Sequence, residues 1–278
     1  MSLDILNDAF MRHAVIATLL AGIACPLVGV LVVTMRISFL GVCMSHAAFA
    51  GALLGIVLGV NPMMTAMLFS FVCAGALGPI ADKGEFGPDT AMGVVFSSSL
   101  GLSFLLLALV PGPKTEALGL LWGNVLTVTR PDLYMLGGVA AVALLLVGLF
   151  YKEIQSVIFN RELAAAVGVP ATAVFYGLLL SSGLVTTAAL KCIGGLLVFS
   201  LIINPAAAAY QLTYDLKKMF LISACLGVLS GWIGLLLSCA LNLPTGAFIV
   251  IVSTLLLLAA TIFSPKKRNA RKKKGQLS

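Results

Sequence analysis

The sequence predicts an all-α, polytopic integral membrane protein: a helical bundle of about 8–9 transmembrane helices with a short cytoplasmic helix between two of them. Hydrophobic residues make up 60% of the 278 residues and charged residues only 10%, and the mean hydropathy is +1.12. Soluble domains carry about 25% charged residues. Apolar runs long enough to cross a bilayer recur along the whole chain. We therefore expect one transmembrane domain over 1–265, followed by a basic tail over 266–278.

The apolar segments follow one another in order, and each predicts a membrane-spanning helix. Their approximate bounds are 14–34, 40–59, 62–80, 91–110, 132–150, 172–190, 193–212, 218–240 and 245–263. Two stretches leave the count open, at roughly eight to ten. Residues 34–45 contain Arg36 and Gly41 and could form a broken helix. The stretch 111–131 is too apolar for an ordinary loop and could dip into the membrane or lie on its surface.

Positive charge is concentrated on one side of the membrane. Threading the segments back and forth places thirteen Lys and Arg residues on one side and three on the other. The richer side holds Arg36, Lys83, Lys152, Arg161, Lys217, Lys218 and seven basic residues of 266–274, and the poorer side holds Arg12, Lys114 and Arg130. Because cytoplasmic loops carry the excess of positive charge, we expect a multi-pass protein of the cell (inner) membrane with its C-terminus in the cytoplasm and its N-terminus outside. The basic tail is interpreted as a topological anchor that contacts anionic lipid, and not as a nucleic-acid arm.

The polar residues exclude several classes of protein. All ten Asp and Glu residues lie at span ends or in loops, so the interior has no acidic relay of the kind that proton-coupled pumps use. Neither a phosphate-binding Gly-Lys-Ser/Thr loop nor a cluster of acids and histidines occurs. The six scattered cysteines form neither a disulfide framework nor a zinc finger, and the start of the chain does not read as a cleavable signal peptide. Any energy for transport must come from another subunit.

The second apolar segment carries the only histidine that falls inside a membrane-length run, His46. An ionisable side chain in hydrocarbon is costly and is usually retained for a function, and neutral imidazole is the commonest metal ligand. Gly51, Gly55 and Gly59 recur every four residues and form a ridge for close helix packing. At 100° per residue, His46 lies about 140° from Gly51, on the side that Cys43 shares. The alternative is that His46 hydrogen-bonds a neighbouring helix.

Two further positions are unusual for apolar helices. Lys191 follows an apolar run at the expected outer boundary, where it either snorkels to the interface or lines the outer mouth of a pore. Asn204-Pro205 interrupts the segment 193–212, and Pro205 removes a backbone donor. Such a break either frees carbonyls beside a transport path or simply kinks the helix.

The polar stretch 151–171 predicts a short, defined helix rather than an ordinary loop. Asn160 can cap the start of this helix, Glu162 favours the positive end of its dipole, and Gly168 ends it. The expected helix covers 161–167 and lies between two spans on the cytoplasmic side. We interpret it as a docking element for a soluble partner.

Four stretches of the chain together resemble the permease subunits of the bacterial ABC importers for zinc, manganese and iron. They are 36–51, around Leu40-Gly41 and Ser45-His46-Ala47; 159–169; 195–198 with 204–208; and 243–247, Leu-Pro-Thr-Gly-Ala. Each stretch alone is weak evidence for the resemblance, but all four occur in the family's order and together span most of the sequence.

The resemblance implies a homodimeric permease in the lipid bilayer that works with two cytoplasmic ABC ATPase subunits and an extracytoplasmic metal-binding protein. It implies a transported divalent metal ion, no permanently bound cofactor, and ATP hydrolysis only in the partner. The docking helix would transmit ATP-driven closure, so that the permeases rock around a central path. The resemblance assigns His46 and Ser45 to the metal path, and it assigns ATPase coupling to Asn160, Arg161, Glu162, Leu163 and Gly168.

The chain departs from the family pattern at three positions. Val42 stands where the family usually has an aspartate, four residues before His46. Asn242 stands where an acid often precedes Leu-Pro-Thr-Gly, and Ala50 stands where proline is common. The missing acid disfavours manganese, which prefers oxygen ligands. Cys43, about 60° from His46 around the helix, could replace it as a softer ligand.

Two other classes of protein also fit this sequence. A related ABC permease could move a metal chelate, such as a siderophore or corrinoid, because an acid-poor interior suits that cargo. A stand-alone membrane channel or membrane enzyme is the more distant alternative. Neighbouring genes for an ATPase and a binding protein would favour an importer, and an isolated gene would favour the stand-alone class.

Overall fold

The structure, a computed structural model, describes residues 9–83, 87–123, 125, 128–241 and 243–266. Over these residues the regular elements are all helical. They are α1 (Ala9–Thr34), α2 (Leu40–Leu58), α3 (Pro62–Lys83), α4 (Pro88–Leu109), α5 (Thr115–Trp122), α6 (Arg130–Leu149), α7 (Tyr151–Phe159), α8 (Arg161–Ala166), α9 (Ala171–Ile193), α10 (Gly195–Leu212), α11 (Leu216–Leu241) and α12 (Thr245–Ile262).

Within the described residues, eight helices are long and apolar enough to cross a bilayer: α1, α2, α3, α4, α6, α9, α11 and α12. A shorter apolar stretch, Leu197–Leu212 in α10, corresponds to the ninth segment of the sequence. The predicted all-α bundle of about 8–9 spans is therefore confirmed. The tail beyond 266 lies outside the described residues, and the division at 265 stays a prediction.

The structure resolves the two ambiguous stretches differently. After α1 the chain turns at Arg36, whose φ of +59° is left-handed, and it starts a new helix at Leu40. The amide of Ile37 donates to the Val32 carbonyl at 3.0 Å, which closes the end of α1. In the stretch 111–131, α5 packs Ala117 in a buried cluster with residues of α2, α4 and α9.

Helix α1 lies at the centre of the bundle and packs against α6, α9, α10 and α11. Its glycines allow this close approach: a Cβ on Gly29 would overlap the carbonyl of Ile202 in α10, and a Cβ on Gly22 would lie 2.8 Å from the amide nitrogen of Val228 in α11. Small residues let helix backbones meet in this way inside a bilayer. Helix α2 lies beside this core and packs on α3, α4 and α9.

The two ends of the bundle differ in composition. At one end, Thr34, Phe159, Tyr214 and Lys266 line a shared cavity of about 850 Å³, so the ends of α1, α7, α10 and α12 meet there. The Lys266 ammonium lies 3.8 Å from the ring centre of Tyr210 and 4.4 Å from that of Tyr214, and burial lowers its pKa. The connections between helices at this end are among those that the count of Lys and Arg residues assigned to one side of the membrane. We call this the α7–α8 end and the opposite one the α5 end.

Candidate functional site

The predicted glycine ridge of α2 fixes the orientation of the helix that carries His46. A Cβ on Gly51 would lie 2.7 Å from Cβ of Phe69 in α3, and a Cβ on Gly55 would lie 2.7 Å from Cα of Pro62. Packing of this ridge against a neighbouring helix is confirmed for these two glycines. Gly59 instead adopts a φ of +68° and caps the end of α2. With the ridge held against α3, the side of α2 that bears His46 turns towards α4.

His46 sits in an apolar, aromatic setting on that side. Its ring contacts Phe96 of α4 edge-on, with centroids 5.0 Å apart, and Phe96 in turn contacts Phe39 at 5.3 Å. The ring is half-buried, and its Nδ1 atom is fully buried with no hydrogen-bond partner in the described structure. The alternative that His46 hydrogen-bonds a neighbouring helix therefore finds no partner among these residues. An imidazole without a partner in an apolar wall retains its lone pair for a ligand.

The other residues predicted for the metal path are buried more deeply than His46. The Ser45 hydroxyl donates to the Gly41 carbonyl at 2.8 Å and is satisfied within its own helix. Cys43 is fully buried in the main core, whereas Val42 is half-buried like His46. Among the described residues no group of three or more His, Cys, Asp or Glu side chains could hold a metal ion. At this position of α2 the described part of a single protomer thus offers the imidazole of His46 and no complete ligand set.

An ion pair at the α5 end joins two helices that the sequence did not connect. The Lys191 ammonium at the end of α9 lies 2.6 Å from the Asp132 carboxylate in the first turn of α6. Asp132 also accepts a hydrogen bond from the Thr129 amide at 3.0 Å, which caps α6. The spacing of Thr129 and Asp132 is the sequence signal for this cap. Lys191 therefore joins α9 to α6 through Asp132. Neither interpretation of Lys191 from the sequence, snorkelling to the interface or lining the outer mouth of a pore, included this contact.

The Asn204-Pro205 step lies within a continuous α10. The amide nitrogen of the Asn204 side chain donates to Ser200 Oγ at 3.0 Å, to Ser253 Oγ at 3.0 Å and to Thr254 Oγ1 at 3.1 Å. These bonds join α10 to α12 through polar side chains in an apolar region. Sequence reasoning singled out Asn204 but missed its two partners in α12. A role for Asn204 and Pro205 as a kink beside the transport path stays a prediction.

Helix α8 forms as the sequence predicts, one residue shorter, and is held firmly in place. Asn160 Oδ1 accepts from the Leu163 amide at 3.0 Å, and Gly168 ends the helix with a φ of +87°. The Arg161 guanidinium lies 4.6 Å from the ring centre of Phe175 in α9. Ala164 is buried against the neighbouring helices. The short helix is therefore a fixed feature of the α7–α8 end and not a mobile loop.

Three large apolar side chains of this segment point into solvent at the α7–α8 end. Phe159 is 84% exposed, Leu163 57% and Val167 78%. They recur every four residues, and we call them the α8 ridge. The sequence analysis chose Leu163 but missed Phe159 and Val167, because the extended backbone at Asn160 separates α7 from α8 and helical spacing does not relate Phe159 to the other two. Large apolar side chains grouped outside the membrane are typical of a protein-docking surface.

An apolar bundle of membrane-length helices with an unpartnered imidazole and a short helix between two spans defines the class of multi-pass transport permeases. This chain belongs to the ABC 3 transport family, which it matches over residues 7–264. It is 34% identical over 263 residues to the manganese transport system membrane protein MntC of Listeria monocytogenes, covering 95% of this chain and 94% of that protein. It is 28% identical over 255 residues to the chelated iron transport system membrane protein YfeD of Yersinia pestis, covering 92% of this chain and 86% of that one.

A solved structure shares the whole fold. The structure of PsaBC from Streptococcus pneumoniae in complex with Fab contains a chain that matches with a TM-score of 0.87 and 30% identity, over 97% of both chains. The expected resemblance to the ABC importer permeases is confirmed. The chain is a membrane transport subunit and not itself an enzyme.

Proposed function

We propose that this chain forms the translocation path for a divalent transition-metal ion, zinc, manganese or iron, in an ABC importer. The observation that carries the proposal is the unpartnered imidazole of His46 on α2, in a fold shared with permeases whose names specify manganese and chelated iron transport. Neutral imidazole binds all three metals. An isolated polar side chain in hydrocarbon is costly, and metal binding gives a reason for its presence.

The ligand set is completed by a second copy of the chain. One imidazole from each of two protomers, with waters or backbone carbonyls, holds a metal ion only transiently, as a transport site requires. Within the described residues no protomer carries the three acidic, thiol or imidazole ligands that a stable site would need. Ser45 lies one residue before His46, and its hydroxyl donates its hydrogen to the Gly41 carbonyl while the oxygen keeps lone pairs that it can offer to a ligand.

Energy enters at the α7–α8 end through a cytoplasmic ABC ATPase. The α8 ridge presents three apolar side chains to this partner, while Asn160, Gly168 and Arg161 hold the helix rigid. A rigid docking element passes a push on to α7 and α9, whereas a flexible loop would absorb it. Glu162 is exposed and adds a charge to the same surface. The α5 end receives the metal from an extracytoplasmic binding protein, and the C-terminus lies in the cytoplasm.

The choice among metals follows from the ligands near His46. Val42 supplies no carboxylate, so the site lacks the oxygen that manganese prefers. Cys43 is the proposed soft ligand in its place, which favours zinc. Since Cys43 is fully buried in this conformation, its thiol would reach the metal only in a state with the path opened along α2.

The test measures cellular zinc, manganese, iron and cobalt by mass spectrometry in cells that express the permease with its ATPase and binding protein. Wild type is compared with His46→Ala and with a control, His13→Ala, at equal amounts in the membrane. We expect wild type and His13→Ala to accumulate one metal selectively and His46→Ala to lose that accumulation. No change in any free metal in His46→Ala, with ATP hydrolysis intact, would contradict the proposal and favour a metal chelate as the cargo.

A further inference from the structure

A narrow apolar cavity opens between α6 and α9 near the α7–α8 end. Its volume is about 290 Å³, and α1 forms its floor with Leu27 and Leu31, which are 5% and 2% exposed. The rim is open: Leu146 of α6 and Phe150, which follows α6, are exposed, and Gly177 of α9 has no atom within 4 Å of where its Cβ would be. The cavity therefore faces outward from the protomer and not into its core.

The length of this cavity matches one leaflet of a bilayer. On α9 it runs from Pro170, at the helix start, to Ser181. At 1.5 Å per residue that distance is roughly 16 Å. The hydrocarbon core of a bilayer is about 30 Å thick, so one leaflet is about half of this. A groove that begins at the end of the spans and stops at mid-membrane has the reach of a single acyl chain.

One unpartnered polar group, Glu153, lies at the end of the groove where a lipid headgroup would be. Among the lining residues only Glu153 and Ser181 have polar side chains, and the Ser181 hydroxyl already donates to the Leu178 carbonyl at 2.9 Å. Glu153 lies in the first turn of α7, just beyond the end of α6, and its Oε2 atom is buried with no hydrogen-bond partner in the described structure. A buried carboxylate oxygen without a partner is costly, and a cationic donor would satisfy it.

We propose that this cavity, the α6–α9 groove, binds one acyl chain of an amine-headed phospholipid from the leaflet at the α7–α8 end. The acyl chain covers Leu27 and Leu31 between α6 and α9, and the headgroup ammonium meets Glu153. Occupancy fills the space between α6 and α9 directly below α7, so the bound lipid supports the helix that leads into α8. The proposal does not depend on the identity of the cargo.

Native mass spectrometry of the purified full-length chain tests the proposal. The protein is stripped of lipid in detergent and titrated with phosphatidylethanolamine or phosphatidylglycerol of identical acyl chains. We expect wild type to bind one lipid per chain and to prefer phosphatidylethanolamine to phosphatidylglycerol. Gly177→Phe, whose ring would occupy the groove, should lose the retained lipid. Glu153→Gln should keep a lipid but lose the preference between headgroups.

Gly138→Phe is the matched control, because Gly138 also has open space around it but lies on α6 outside the groove. It should bind lipid like wild type. Equal retention by wild type and Gly177→Phe, or no retained lipid in wild type, would overturn the proposal. A cysteine introduced by Gly177→Cys that is protected from maleimide only in the assembled transporter, whatever the lipid, would assign the groove to a protein helix instead.

Discussion

Single side chains determine what chemistry is available in this protein, because its buried polar side chains are almost all Ser and Thr hydroxyls among the described residues. His46 has a buried Nδ1 without a partner, and the edge of Phe96 holds its ring at 5.0 Å. Asp132 and Lys191 satisfy one another at the α5 end, and Asn204 is satisfied by three hydroxyls. The contrast between these residues is informative: the satisfied groups join helices, and the unsatisfied imidazole is left for a ligand.

Cys43 gives a prediction about metal preference. If its thiol supplies the soft ligand, Cys43→Ala should lower zinc accumulation more than manganese accumulation, because a thiolate favours the softer ion. Metal contents of cells expressing each variant, measured by mass spectrometry, test this. Cys25→Ala is the control, since Cys25 is also fully buried but lies on α1. Unchanged uptake in Cys43→Ala would return Cys43 to a packing role.

The ion pair of Lys191 and Asp132 gives a prediction about stability. Lys191→Met should lower stability by about 1 kcal/mol, because the lysine is 45% exposed and water screens the pair. Asp132→Ala should cost more, about 2 kcal/mol, since it also removes the cap of α6. In detergent, the Tm of thermal unfolding should fall by about 2–4 °C in Lys191→Met and by about twice that in Asp132→Ala. Lys114→Met should leave Tm unchanged, and an equal drop for Lys114→Met would argue against a specific pair.

At the scale of elements, the separate functions proposed for α2 and α8 follow from the way each helix packs. Helix α2 uses Gly51 and Gly55 to pack tightly on α3, so that the opposite side presents His46 towards α4. Helix α8 uses Ala164 for packing and exposes Leu163 and its ridge partners. In both helices, packing on one face determines which side chain remains available on the other.

The α8 ridge gives a prediction about coupling to the ATPase. Leu163→Glu should reduce metal uptake at least about tenfold, since an unpaired carboxylate buried at the contact would cost several kcal/mol. Leu163→Met keeps the apolar surface and should transport like wild type. Uptake and co-purification of the ATPase are measured together for both variants. Full uptake by Leu163→Glu, with the ATPase still bound, would exclude the ridge from the contact.

At the scale of the whole molecule, the two ends of the bundle differ in charge and shape, which supports the proposal that each end has a different partner. Helix α1 runs through the centre and joins both ends, with close approaches at Gly22 and Gly29. The α7–α8 end gathers Arg36, Arg161 and Lys266 around shared cavities. The α5 end has the ion pair and the short α5 helix. An importer needs this polarity, since metal enters at one end and ATP-driven motion at the other.

Orientation in the membrane gives a prediction for the whole chain. A green fluorescent protein fused after Ser278 should fluoresce, because the excess of positive charge places the C-terminus in the cytoplasm. Alkaline phosphatase fused after Lys114, near the start of α5, should be active, because the same charge asymmetry predicts that the α5 end faces outside. The reciprocal fusions serve as controls and should be inactive. The opposite pattern would reverse the assigned direction of the bundle.

Much of the fold could be predicted because hydropathy and helix capping are local properties. The nine apolar segments, the cap at Asn160 and the end of α8 at Gly168 all depend on residues a few positions apart. The candidate site was predicted less fully. His46 stood out as an ionisable group in an apolar run. Its contact with Phe96 joins two helices about fifty residues apart, so no local sequence pattern predicts this contact.

The sequence by itself determined the membrane class, the order of the spans, the charge asymmetry and the residues that could do chemistry, because each depends on the transfer of neighbouring side chains between water and lipid. Only the tertiary structure decided which of those residues are free. Packing satisfied Lys191 and Asn204 and left His46 and Glu153 with unpartnered atoms. The physical reason is that hydrogen-bond satisfaction and cavities depend on contacts between distant helices.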